Sequence, residues 1–168
     1  MPAKGRDRRA LSFAGLKRRG RHADTPLPDR PIAAILAVVV RDGDVLLVRR
    51  ANPPDAGLWG FPGGKIERGE TLHDAALREL TEETGVSARV LRVFGALDAL
   101  DRGDDEALRH HFILITALCQ WTQGEPVAAD DALDARWVAL DRLAALPLSR
   151  DVATVAAQAA ALMAEVAP

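Results

Sequence analysis

Three glutamates near the middle of the chain, Glu79, Glu82 and Glu83, stand at spacings i, i+3 and i+4. On a helix that spacing puts their carboxylates along one side, within reach of one another, and hard divalent cations prefer such oxygen donors. The surrounding pattern sharpens the point. On a wheel turning about 100° per residue from Leu72, the apolar residues Ala75, Ala76 and Leu80 define an arc centred near Leu72. Glu79 and Glu83 fall inside that arc and Glu82 at its edge, so two carboxylates occupy the face that should be buried. Burying like charges together is costly unless their pKa values rise or positive charge is supplied, and Mg²⁺ would supply it. The plainer alternative is a solvated acidic helix end with Arg78 pairing to Glu82 at i, i+4, and the helix alone does not choose between the two.

The elements that must position these groups are readable nearby. Thr71 is a suitable N-cap with Asp74 three residues on, and Gly85 stands where a terminating glycine belongs, which predicts one helix over Leu72–Thr84. Upstream, the β-branched run Ile32–Val40, the turn Arg41-Asp42-Gly43-Asp44 and the apolar run Val45–Val48 predict a β-hairpin. The Pro-rich stretch 52–57 predicts a loop, Trp59–Phe61 a short extended piece, and Pro62-Gly63-Gly64 a turn leading to the helix. Downstream, Arg89–Leu97, His111–Leu118 and Arg136–Leu140 read as strands, 101–106 and 123–131 as loops, and Asp151–Val166 as a helix opened by Ser149 or Asp151. Strands with interspersed helices suggest a mixed sheet packed between helices, an α/β (α+β) fold.

The spacing around the helix is specific. From Gly64 there are five residues to Glu70, then seven to Arg78-Glu79-Leu80-Thr81-Glu82-Glu83-Thr84-Gly85-Val86. This matches G-x5-E-x7-R-E-U-x-E-E-x-G-U, with U aliphatic, at every fixed position, and the chain over roughly 32–146 resembles the Nudix hydrolase family. The resemblance implies an α/β/α sandwich with a loop–helix–loop catalytic element and Mg²⁺-dependent cleavage of a phosphoanhydride in a nucleoside diphosphate linked to another moiety, with Mn²⁺ as a substitute metal. It implies Glu79, Glu82 and Glu83 as metal ligands, with the backbone carbonyl of Gly63 or Gly64 as a further one. Arg78 would orient Glu79, and Glu70 would brace the loop. The chemistry is coherent on physical grounds, because a pyrophosphate bridge is shielded by its own anionic oxygens until cations neutralise them and activate a water.

Other residues are weighed on weaker signals. Arg49 and Arg50 end a strand, so alternation sends them to opposite faces, and either is a candidate for substrate phosphate against the alternative of a surface charge. Trp59 is a candidate for stacking on a base, with a core or lip position as the alternative. Candidate general bases outside the helix are Asp104, Asp105, Glu106, Asp130 and Asp131, the last two on a loop preceding the strand that carries Trp137. His110 and His111, with no Cys or further His nearby, read as partly exposed strand residues rather than zinc ligands.

Composition bounds the rest. The 168 residues suit one domain, and Cys119, the only cysteine, lies in an apolar run and reads as core. No apolar stretch approaches the length of a membrane span and no signal-peptide core is present, so a cytoplasmic protein with a small-molecule nucleotide substrate is expected. The net charge of −2 hides an asymmetry. Residues 1–30 hold nine Lys and Arg against three Asp, and the remainder thirteen basic against twenty-one acidic. The first 30 residues are therefore expected to form a basic extension before a catalytic domain at 31–168, with a nucleic-acid contact through that extension as a lesser reading. Homodimer and monomer are both open. Two subgroup markers, a tyrosine for dinucleoside polyphosphates and a downstream proline for ADP-ribose, are absent: the chain has no Tyr, and 99–103 reads Ala-Leu-Asp-Arg-Gly. The general layout still resembles short ADP-ribose pyrophosphatases. A nucleoside triphosphate pyrophosphohydrolase, including one for oxidised nucleotides, is the alternative, and a non-catalytic ligand-binding regulatory module is the alternative of another class.

Overall fold

The computed structural model describes residues 30–166, and the expectations for residues 1–29 lie outside them. The central strand, β1 (Ile32–Arg41), is apolar at every position from Ala34 to Val40, and all seven are buried. A strand covered on both faces needs such a run rather than an alternating one. Its side chains divide by parity: Leu36, Val38 and Val40 pack in one core, and Ile35, Ala37 and Val39 in another on the opposite face.

β1 turns through Asp42 (φ 50°) and Gly43 (φ 87°) into β2 (Asp44–Arg50), pairing Val40 with Val45. Two successive positive φ values define the tight hairpin that Asp-Gly favours. β2 pairs with β1 only at this end. At the other end the place beside β1 is taken by β4 (Gly63–Lys65), with Leu36 opposite Gly63 and Ala34 opposite Lys65. The short β3 (Trp59–Gly60) pairs with β2. The glycine turn is thus wedged into the sheet where the hairpin strands part.

The expected helix appears as α1 (Leu72–Thr84), with the Thr71 side chain accepting from the Asp74 N–H and Gly85 in the left-handed conformation at the C-terminal cap. β5 (Ser87–Arg102) and β6 (Leu108–Gln123) form a long antiparallel ribbon whose second strand runs parallel to β1. β7 (Ala132–Ala139) pairs with β2, and the Leu140–Ala145 3-10 turn leads to α2 (Val152–Val166). The seven strands make one mixed sheet. α1 covers the core containing Ile35, Leu46 and Ala117, and α2 covers the one containing Leu36, Leu47 and Leu118. This is the expected helix/sheet/helix arrangement. Cys119 is buried in the α1-side core as expected, and burial pushes its thiol up to about 12. No described helix is long and apolar enough to cross a membrane.

The ribbon is longer than its sequence suggests. Asp101 and Arg102 belong to β5, and His110 and His111 lie within β6. Their polar side chains pair across the strands, His110 with Asp101 at 3.0 Å and His111 with Asp98 at 2.9 Å. Only 103–107 form the turn, where Asp105 accepts from the Ala107 N–H and Arg102 donates to the Glu106 carbonyl. Asp104, Asp105 and Glu106 are therefore exposed residues of the ribbon tip.

Candidate active site

The patterning conflict in α1 is real in the folded protein. Ala75, Ala76, Glu79, Leu80, Glu83 and Thr84 are its buried residues, with Glu79 fully and Glu83 almost fully covered. Both carboxylates face β4. The Glu83 Oε2 accepts from the Gly63 N–H at 3.1 Å. The Glu79 carboxylate lies directly against Gly64, so closely that a Cβ there would overlap it. A backbone stripped of side chains is what allows two buried carboxylates to approach the sheet.

Arg78 organises the site. It donates through Nε and Nη2 to both oxygens of Glu70 (2.7 and 2.9 Å), through Nη1 to Glu79 (2.7 Å) and Glu82 (3.3 Å), and through Nη2 to the Lys65 carbonyl (3.1 Å). The hydrogen bonds from Arg78 hold the Glu70 carboxyl below its usual range, and those carboxylates hold the guanidinium firmly charged. Glu70 also accepts from the Glu67 N–H, closing the loop ahead of the helix. The bracing expected of Glu70 is thus direct, and the guanidinium fixes one oxygen of Glu79.

Burial pushes the Glu79 carboxyl up to about 7 despite Arg78, and the Glu83 carboxyl up to about 8 despite the Gly63 N–H. The unfolded chain releases these protons near the ordinary 4.5. Between those values the folded metal-free protein holds more protons than the unfolded one, so its stability falls as pH rises. Glu70, with a lowered value, acts only below this window. In the presence of a chelator the Tm is expected to fall between about pH 5 and pH 8, with Glu79→Gln reducing the slope. A metal-free Tm that climbed over that interval would contradict the burial described.

Whether a divalent cation suits these residues is tested by one atom. Glu79 Oε2 is buried and has no hydrogen-bond partner, while its sister oxygen is held by Arg78. A buried carboxylate oxygen without a donor is destabilising unless a cation completes it. Glu82, half exposed at the helix edge, turns toward Arg78. Among the described residues no three acidic, His or Cys side chains converge on one point. The donors therefore suit a hard cation, with Glu82 needing to swing inward to join Glu79 and Glu83.

The loop 124–131 closes the site from the other side. The Val127 and Ala129 N–H groups donate to the carbonyls of Thr84 and Glu83, which satisfies the open end of α1. At its start, the Arg41 guanidinium lies 4.5 Å from the Trp121 ring and 5.2 Å from the Trp137 ring, bonding Glu125 at 2.6 Å. Trp137 also donates to Glu125 (3.1 Å). At its end, Asp131 accepts from Asn52 (3.1 Å), which ties the loop to the Pro-rich segment. Asp130, with φ 53°, points its charge close enough to disfavour ionisation of both Glu79 and Glu83. The two neighbouring aspartates thus have different surroundings.

The strand-end arginines separate as alternation requires. Arg49 is exposed and donates to the Gly57 carbonyl (3.1 Å), holding the Pro-rich loop rather than facing the glutamates. Arg50 faces inward, and its charge favours ionised Glu83. It also lines a cleft of about 440 Å³ on the α2 side, walled by Leu36, Phe61, Leu97 and Phe112. That volume is in the range of small-molecule sites. Trp59 takes the core position of its two readings, which removes it from the substrate-binding candidates: it is 4% exposed, packs in the α2-side core with Leu143 and Val152, and carries Arg136 4.4 Å over its ring, so it offers no face to a base. The cleft itself was not anticipated. Its walls come from six separate stretches of the chain with no common spacing.

The NUDIX domain family model matches residues 29–159, most of the chain. The chain is a Nudix hydrolase. It is 34% identical over 121 residues to an ADP-ribose pyrophosphatase of Methanocaldococcus jannaschii, covering 72% of this chain and 69% of that one. It is 35% identical over 119 residues to a putative 8-oxo-dGTP diphosphatase 2 of Mycobacterium tuberculosis, covering 64% and 81%. Among solved structures, the NUDIX domain of Shewanella oneidensis NrtR complexed with ADP ribose superposes with a TM-score of 0.66 at 26% identity, covering 80% of this Nudix chain and 89% of that one.

Proposed function

We propose that this Nudix hydrolase cleaves the pyrophosphate of ADP-ribose to AMP and ribose 5-phosphate, using Mg²⁺ held by Glu79, Glu82, Glu83 and a backbone carbonyl of Gly63 or Gly64. The observation that carries the reading is the cleft lined by Arg50, the residue whose charge also favours ionised Glu83. Its apolar walls suit a nucleoside, and the guanidinium stands where the attached phosphates would enter. The relative named ADP-ribose pyrophosphatase supports the same substrate.

A divalent cation held by Glu79, Glu82 and Glu83 would neutralise diphosphate charge and make the attacking water more acidic. The protein's own residues do the rest. Arg78 holds Glu79 with one oxygen turned inward, Gly63 orients Glu83, and Arg50 offsets charge on the phosphate oxygens. Attack of water oxygen on one phosphorus breaks its bond to the bridging oxygen, and the water proton passes to a carboxylate of the site. Asp130 is the candidate outside the helix, because its charge reaches both buried glutamates, whereas Asp131 is engaged by Asn52.

A second reading, pyrophosphohydrolysis of an oxidised nucleoside triphosphate, is favoured by the relative named 8-oxo-dGTP diphosphatase. The two differ in products. Purified full-length protein with Mg²⁺ is expected to convert ADP-ribose with kcat/KM at least about tenfold above that for 8-oxo-dGTP, and to lose all turnover in EDTA. Faster release of pyrophosphate from 8-oxo-dGTP would replace the first reading with the second. Turnover that survived chelation would remove both.

A further inference from the structure

Ser149 lies between the sheet and α2 with its backbone fixed on both sides. Leu148 bridges to Trp59, the Ser149 N–H donates to the Trp59 carbonyl at 2.9 Å, and the Ser149 carbonyl accepts from the Val152 N–H at 3.4 Å. Its side chain has no such engagement: the Oγ is buried without a hydrogen-bond partner, and the residue lines the cleft. A buried hydroxyl left unpaired is destabilising, so a position that keeps one calls for a reason.

Gly60 supplies the geometry. A Cβ at Gly60 would stand 3.6 Å from Ser149 Oγ and 3.9 Å from Arg50 Nη1. The missing side chain therefore leaves a corner in the cleft wall, with a hydroxyl on one flank and a guanidinium on the other. Arg50 is the flank whose charge favours ionised Glu83. The hydroxyl is the other flank, and it can either donate or accept.

We propose that Ser149 is a substrate-binding residue whose Oγ turns into the corner left by Gly60 and hydrogen-bonds the nucleoside moiety there. This rests on the cleft being the nucleoside site, as argued above.

Ser149→Ala is expected to raise KM for ADP-ribose about tenfold, the worth of one hydrogen bond, while kcat changes less than about twofold. The affinity of the metal-free protein for AMP should fall by the same factor. Tm should stay level or rise, because an unpaired buried hydroxyl has been removed. Gly60→Ala, whose methyl would make only ordinary contacts, should raise KM by filling the corner. A Ser149→Ala protein with wild-type KM and AMP affinity overturns the proposal, and so does a fall in Tm, which would give the hydroxyl a structural role. Either result leaves the catalytic reading intact, whereas full turnover by Glu83→Gln would sink that reading by itself.

Discussion

Replacing Glu83 with glutamine is expected to lower kcat by about 10²–10³-fold while leaving the metal-free fold as stable as before, or more so. Both halves follow from the same burial. The glutamate is almost fully covered, and its carboxyl is pushed up to about 8, so its ionised form is one the folded protein resists. Glutamine keeps the shape, and its amide oxygen can still accept from the Gly63 N–H. What it loses is the negative charge that a divalent cation needs. Turnover at saturating Mg²⁺ and thermal unfolding in chelator should therefore move in opposite directions. Wild-type turnover by a folded Glu83→Gln protein would show that the glutamate is not part of the machinery.

The second large effect concerns the paired glycines, which should fail differently. A Cβ on Gly63 would overlap the Ile35 carbonyl oxygen and come within 2.9 Å of the Leu36 side chain. Those atoms belong to the central strand, which has no room to retreat. Gly63→Ala is expected to cost about 3 kcal/mol or more and to leave little folded protein. At Gly64 the obstacle is the Glu79 carboxylate, the far end of a flexible side chain. Gly64→Ala should fold, because the side chain can move, yet lose most activity because the displaced carboxylate is the one with the free inward oxygen. Circular dichroism with a Mg²⁺-dependent assay separates the two, and equal melting temperatures for both variants would refute the distinction.

Local residue signals suffice to place the glutamate-bearing helix. Thr71, Asp74 and Gly85 are local signals that act within one turn, and the helix begins and ends where they require. The conflict between Glu79 and Glu83 and their apolar neighbours also survived intact, because burial of a helix face follows from its period. Longer-range features were less legible. β4 is three residues long and begins with two glycines, which carry no strand signal; its conformation comes from pairing with β1. His110 and His111 read correctly as strand residues, but Asp98 and Asp101 lie beyond the strand their own segment suggests until the ribbon sets them opposite those histidines. Trp59 offered no local sign of which way it faced, and the packing of β3 beneath α2 decided it. The cleft depends on residues from Leu36 to Ser149 meeting in space, a relation that no spacing records.

The Arg41 clamp has an optical consequence. The chain has three tryptophans and no tyrosine, so its near-ultraviolet emission has few sources. Trp59 is sealed in the core under Arg136, whereas Trp121 and Trp137 flank Arg41 where the 124–131 loop begins. Two of the three indoles thus report on the start of the segment that carries Asp130 and caps α1, and the third is an internal reference in the core. The protein carries an unlabelled fluorescent gauge of that loop's position.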